Sequence, residues 1–391
     1  MWQQKAKVQW LGLGDRNTKY FHTKASERKK KNTILGLVDE EVIVTIPTRI
    51  TEEMNQFLTK ELTKEEVKKA LKQMHPTKAP GPKCMSAIFF QKYWYIVGND
   101  IICMVLNVLN SNMSMAEINR TNITLVPKTK NATKMTEFRP ISLCNVVYKL
   151  VFKVLANRLK TILPQIITEN QSAFLHERLI TDNVLVAFEL MHYLDHKREG
   201  NDCFMAVKLD MSKAYDRVKW GFIEKVMERM GFHEKWINLI MSCITTVTYS
   251  VLINGVARGC IAPSRGLHQG DPISLYLFLL RADHFFSLIN NAARNNMLSG
   301  ISICRGCPMV THLFYADDSM LFCKASTQEC RNLMAILDLY EAASRQKVNA
   351  DKSSIFFSIN TPLELKVEIM EVMGPMQDSK HNKYLGLPLI I

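Results

Sequence analysis

The sequence predicts an α+β fold: a mixed, largely antiparallel sheet with helices packed against it. Three observations carry this expectation. Runs rich in β-branched and aromatic residues alternate with helix-periodic stretches along most of the chain, so strands and helices are interspersed. The stretch His312–Cys323 reads as strand, tight turn and strand, with Asp317 and Asp318 at its tip. A second hairpin is signalled where the β-branched run 245–253 meets Asn254-Gly255, a pair suited to the positive φ angles of a two-residue turn.

Taken in order, residues 1–50 read as a basic linker or arm and 51–120 as a helical extension. Thr63 can cap a helix beginning at Lys64, Glu66 completes a capping box, and His75-Pro76 stops the helix. Beyond the loop Pro80-Gly81-Pro82, one apolar helical stretch is expected around 86–110, and Asn122–Lys128 reads as a strand. The amphipathic segment from Asn145 to Leu163 should end at Pro164, because proline supplies no N–H to a helix interior. Another helix covers 183–196. Strand 203–210 continues through Met211–Asp216 into a helix that ends near Gly231, and 234–244 is helical again. The glycine-punctuated loop Ser264–Pro272 opens a long apolar helix to about residue 292. A helix over 326–343 and a last strand pair within 353–359 complete the pattern.

With 391 residues, 47 % of them hydrophobic, the chain can bury one large core or a few subdomains. Its net charge of +13 favours a polyanionic partner. Residues 1–34 hold nine Lys/Arg against two Asp/Glu, so more than half of that excess lies in the arm. The arm reads either as a solvated tail or as a tether to phosphates. No apolar run is long enough to span a bilayer, so a soluble nuclear or cytoplasmic protein with no membrane partner is expected. The ten cysteines mostly sit inside apolar segments, which suggests core thiols in a reducing compartment. Cys304 and Cys307 have metal-ligand spacing, but no second pair lies in range, which argues against a structural zinc.

The acids are the sharpest chemical signal. Two carboxylates at the tip of an apolar hairpin lose water and repel one another, and a divalent cation removes both penalties. A third acid, Asp210, ends an apolar strand about a hundred residues upstream. Three acids ending buried strands are what a two-metal phosphoryl-transfer centre requires, and they point to a nucleic-acid polymerase.

A wider set of motifs surrounds these acids. In chain order they include Gly14–His22 (GDRNTKYFH), Lys78–Pro82 (KAPGP), Phe138–Leu143 (FRPISL), Leu155–Leu159 (LANRL) and Asn170–Phe174 (NQSAF). Leu209–Asp216 (LDMSKAYD), Gln269–Pro272 (QGDP), Tyr315–Asp318 (YADD) and Tyr384–Pro388 (YLGLP) follow. The series resembles the reverse transcriptase of plant LINE-type non-LTR retrotransposons over nearly the whole chain.

The resemblance implies a right-hand polymerase: fingers over 121–202, palm over 203–391 with fingers elements interleaved, and a reverse transcriptase domain over about 121–391. It would copy an RNA template from a DNA primer using dNTPs and two Mg²⁺ ions, with Mn²⁺ as a substitute. Asp210 and Asp317 would bind both ions and Asp318 would support the second. Tyr215 would exclude a ribose 2′-hydroxyl, or else serve as a core aromatic. Gln269, with Gly270 and Ala316, would contact the incoming nucleotide, although Gln269 could equally brace its turn. Arg139 suits a triphosphate, with a surface cation as the alternative. Lys352 would protonate pyrophosphate or remain a solvated charge. Tyr384, Leu385 and Gly386 would form the primer grip.

The sequence also departs from the family pattern. Lys83-Cys84 replaces an Asp-Gly turn, His176-Glu177 replaces Pro-Gly, His268 stands where arginine usually precedes the glutamine, Leu275 replaces a proline, and Arg345 a glycine. His268 is expected to be a weaker, pH-dependent cation. The chain is read as ending just after the primer grip, before a thumb, with no endonuclease or Cys/His module. A catalytically silent remnant that keeps at most nucleic-acid binding is the alternative. An RNA-dependent RNA polymerase or intron maturase shares the metal logic, and Tyr215 argues against RNA synthesis.

Overall fold

The computed structural model describes residues 47–388, except 83, 84, 112, 169, 170, 176, 177, 269, 305, 317, 379–382 and 386. The basic arm therefore lies outside the described residues, apart from its last few positions.

Among the described residues, four helices come first: α1 (Glu52–Thr59), α2 (Lys64–Lys72), α3 (Ala87–Lys92) and α4 (Trp94–Asn110). Thr63 and Glu66 form the expected capping box at the start of α2. The single helix expected around 86–110 is instead two, broken at Tyr93, whose backbone leaves the helical region (φ −99°, ψ 24°). Gly98 lies in the second piece, where an added Cβ would meet the ring of Trp94 at 2.9 Å.

Two sheets follow. The first has four strands in the order β2-β1-β4-β5, built from β1 (Arg120–Pro127), β2 (Phe138–Cys144), β4 (Thr248–Ile253) and β5 (Val256–Ile261). β1 pairs antiparallel with β2 and parallel with β4, so two remote segments share this sheet. Asn254 (φ 49°) and Gly255 (φ 80°) close the β4–β5 hairpin with the two positive φ angles foreseen for that turn.

The second sheet has five strands in the order β6-β7-β3-β8-β9. They are β3 (Phe204–Leu209), β6 (His312–Tyr315), β7 (Asp318–Lys324), β8 (Ser354–Phe357) and β9 (Gln377–Asp378). The strand pair expected within 353–359 is one strand: β8 pairs antiparallel with β3 and parallel with the distant β9. Its four side chains are all buried, so it docks into the sheet and does not fold back on itself. A short ladder, β10 (Lys383–Tyr384) with β11 (Leu387–Pro388), stands apart.

Helices α5 (Val146–Ile166), α6 (Ile180–His196), α7 (Trp220–Met230), α8 (Glu234–Thr245), α9 (Pro272–Arg294), α10 (Thr327–Ser344) and α11 (Leu363–Met373) complete the fold. α5 does not stop at Pro164. Ile162, Leu163, Ile166 and Ile167 are all buried, and this packing carries the last turn past one missing hydrogen bond. Gly231 caps α7 in the left-handed conformation, φ 90°. α9 is long and apolar enough to cross a membrane by length and composition, but most of it is buried within the protein. It forms the central core helix, with Phe286 edge-on to Phe314 of β6 at 4.0 Å between centroids. The expected core thiols are found at Cys144, Cys243, Cys323 and Cys330, whereas Cys103 and Cys260 are exposed and Cys304 and Cys307 are joined by a disulfide. A tight turn, closed by Cys307 N–H donating to the Cys304 carbonyl, brings their Cα atoms to 5.4 Å.

Candidate active site

Strand register brings the acids together. β3 and β7 are antiparallel, with Leu209 opposite Ser319, so the next residues outward, Asp210 and Asp318, end the pair side by side. β6 and β7 are also antiparallel, with Tyr315 opposite Asp318 across the turn. Asp317 lies outside the described residues, next to Asp318 in the chain. Apolar neighbours hold this end in place: Met205, Val207, Leu209, Leu321 and Phe322 are buried, whereas Asp210 and Asp318 are half exposed. The sheet's core thus fixes two carboxylates at a solvent-reaching edge. Two hard oxygen donors in such a setting suit Mg²⁺ or Mn²⁺.

Backbone hydrogen bonds position Asp210 independently of its side chain. Its N–H donates to Ser353 Oγ at 3.1 Å, and its carbonyl accepts from Asn349 N–H at 2.8 Å. Lys352 occupies the same 3₁₀ turn, Ala350–Lys352, with its side chain exposed. The turn carrying the second acid is strained, since Ala316 has φ 57°. Its N–H donates to Gln171 Oε1 at 3.2 Å, and the same oxygen accepts from Ala173 N–H at 3.0 Å. Asn183 Nδ2 donates to the Phe314 carbonyl at 2.7 Å. Arg178 ties Gln171 down in turn through its carbonyl at 2.6 Å.

The supporting roles of Gln171 and Asn183 are absent from the sequence reading. The motif around Gln171 is visible in the sequence, but Ala316 lies 145 residues from Gln171 and Phe314 lies 131 residues from Asn183.

The remaining candidates divide. Tyr384 is buried near Asp318, and burial first, then that carboxylate, push its phenol well above the ordinary range. Leu385 follows with φ 51°, and Gly386 lies outside the described residues. Tyr215 is half-buried and stacks on Phe278 with centroids 4.6 Å apart at 12°. Its carbonyl accepts from Leu267 N–H at 3.0 Å, joining the segment after Asp210 to the glycine-punctuated loop. Gly266 is required there: its φ is 99°, and a Cβ would lie 3.1 Å from the Asp216 carbonyl oxygen. Gly270 has φ 103° with open space where a Cβ would go, and Gln269 lies outside the described residues.

His268, which stands where the family pattern has arginine, lies inside the fold. It is buried, with Nδ1 2.8 Å from Asp271 Oδ2 and 2.7 Å from the Tyr148 hydroxyl. A ring shorter than arginine turns inward and anchors the loop from below. Arg139 is exposed on β2, the outer strand of the other sheet, and no contact joins it to the acids among the described residues.

Comparison with known proteins follows the same lines. The family model described as reverse transcriptase (RNA-dependent DNA polymerase) matches residues 126–389. The Transposon TX1 uncharacterized 149 kDa protein of Xenopus laevis is 27 % identical over 347 residues, 87 % of this chain and 25 % of its own length. The Retrovirus-related Pol polyprotein from type-1 retrotransposable element R2 of Popillia japonica is 26 % identical over 199 residues, 51 % of this chain and 26 % of its own. The uncharacterized mitochondrial protein AtMg01250 of Arabidopsis thaliana is 43 % identical over 68 residues, 17 % of this chain and 56 % of its own. The chain spans about a quarter of the length of the first two.

Proposed function

The chain belongs to the reverse transcriptase (RNA-dependent DNA polymerase) family, and from that premise we propose that it carries the nucleotidyl-transfer centre of a LINE-type non-LTR retroelement, of plant origin, extending a DNA 3′-hydroxyl on an RNA template. The observation that carries this reading is the register of Asp210 with Asp318 at the open end of β3 and β7. In this reading the five-stranded sheet serves as palm and the four-stranded sheet as part of the fingers. Asp210, Asp317 and Asp318 would hold two Mg²⁺, or Mn²⁺, which when bound activate the attacking hydroxyl and steady the leaving pyrophosphate.

The chain's own groups then have distinct tasks. The half-buried Tyr215 ring, fixed against Phe278, presents an edge to the sugar and excludes a 2′-hydroxyl. Gln269 and Gly270 hold the incoming nucleotide, with Ala316 beneath it on the turn braced by Gln171. Arg139 steadies the triphosphate, and Lys352 delivers a proton to pyrophosphate. Tyr384, Leu385 and Gly386 steady the primer end; Tyr384 supports that role by its burial near Asp318.

Primer extension tests the reading. A homopolymeric RNA template with a DNA primer is supplied with dNTPs in Mg²⁺ and then Mn²⁺, with Asp317→Asn run alongside. Extension by the parent protein alone is expected. Equal extension by both proteins would overturn the metal assignment, and no extension by folded protein would favour a silent remnant.

A further inference from the structure

Helix α5 carries an unbalanced charge that the proposed chemistry does not use. Its 21 residues, Val146–Ile166, hold three lysines and one arginine and no acid. At 3.6 residues per turn, Lys149, Lys153 and Lys160 fall within about 40° of one another, and Arg158 lies about 180° from Lys149. The two sides are treated differently. Arg158 is buried and fully engaged, with Nε 2.7 Å from Glu66 Oε1 and further bonds to the carbonyls of Leu58, Lys60 and Glu61. The lysine side is the helix's narrow open strip, where Lys149 and Lys153 are half-buried and Lys160 is exposed.

Among the described residues, none of these lysines pairs with a carboxylate, and neither does the adjacent Lys78. Burial, then the fields of Lys160 and Lys78, push the Lys153 ammonium down. Stability does not favour like charges gathered on a half-buried strip, whereas a polyanion does.

The strip also has a direction. Lys149 Nζ donates to the Ala79 carbonyl at 3.1 Å, and the carboxylate of Asp271 in the glycine-punctuated loop acts on it. The neighbouring Tyr148 hydroxyl lies 2.7 Å from Nδ1 of His268 in that loop. From there the lysines lead away for about 16 Å, close to five nucleotide rises of a stacked strand. We propose that the Lys149–Lys153–Lys160 face of α5 binds the phosphate backbone of the unpaired template strand as it approaches the nucleotide loop. This assignment rests on the polymerase reading, since a primer ends at the acids and only the template continues past them.

Fluorescence anisotropy with the full chain tests it, using an RNA–DNA primer duplex either blunt or extended by an RNA 5′ overhang of about ten nucleotides. Lys153→Gln/Lys160→Gln should weaken binding of the extended substrate several-fold and leave the blunt one unchanged. The slope of log affinity against log salt on the extended substrate should become shallower by about 1.4, two single-strand contacts at 0.7 each. Lys153→Arg/Lys160→Arg, which keeps the charge, should bind as the parent does, and melting curves exclude misfolding. Unchanged binding by the Gln variant, or equal losses on both substrates, would overturn the proposal. Primer extension by the parent separates the two readings. Overhang binding that depends on the lysines without any extension would leave the strip standing and remove the polymerase reading. Extension with lysine-independent binding would do the reverse.

Discussion

The two sheets use similar local ingredients and end in opposite surroundings. In the five-stranded sheet every residue of β8 is buried, as are most of β3 and β7. In the four-stranded sheet every residue of β5 is exposed and none of β4 is buried. The first sheet has α9 behind it, and its packing fixes where Asp210 and Asp318 stand. In the second, β5 is held by its hydrogen-bond ladder to β4 and a two-residue turn, and its side chains reach solvent. In the proposed reading the chemistry belongs to the buried sheet, and the exposed β5 and the lysine face of α5 belong to the contact surface.

The largest effect should come from the functional end of the buried sheet. Asp210→Asn is expected to lower primer extension by about 10²–10³-fold or more while leaving the melting curve unchanged. An active variant would take the paired acids out of the chemistry.

Packing gives the next contrast. Phe322→Ala, at a residue 1 % exposed in β7, should cost about 3–5 kcal/mol in urea unfolding. Val256→Ala, at a residue 51 % exposed in β5, should stay within about 0.5 kcal/mol. Comparable losses would mean that the open sheet is better packed than its exposure implies.

Acid should attack the buried sheet's support. Burial holds His284 of α9 and His312 of β6 down to about 4, against 6.5 when unfolded. The unfolded chain therefore takes up these protons first as pH falls. The contribution is complete above about pH 6.5 and is lost towards pH 4, at about 3 kcal/mol per histidine. Melting temperature should decline across that window, and His284→Leu should flatten the decline. A parent protein whose melting is level from pH 7 to 4.5 would contradict the assignment.

The last expected effect is a gain. Arg345 caps α10 at φ 59°, a conformation that glycine adopts without penalty. Arg345→Gly should stabilise the protein by about 1 kcal/mol, read in the same unfolding experiment. The family pattern has a glycine here, and the backbone has kept the conformation that glycine suits.

Much of the fold was legible where the signal was local. The capping box at Thr63 and Glu66, the Asn254-Gly255 turn and the glycine cap at 231 each depend on a few neighbouring residues, and each is present. Readings failed where packing outweighed local preference. α5 passes Pro164 because its last turn is buried, and β8 docks against β3 instead of pairing with its neighbour. At the site, the acids were legible because charges in apolar strands are conspicuous. The brace from Gln171 to Ala316 was not, because a buried amide looks the same in sequence whether it holds a turn or only itself.

The sequence alone determined the chemistry on offer: three acids, a glycine-punctuated loop and a helix with lysines but no carboxylates. These follow from residue type and spacing, which are one-dimensional properties. Only the tertiary structure decided that Asp210 ends beside Asp318, that His268 turns inward to Asp271 and Tyr148, and that Arg158 pairs with Glu66 while, among the described residues, the lysines on the opposite face pair with no carboxylate. Strand register and burial set those outcomes, and both arise from contacts between residues far apart in the chain.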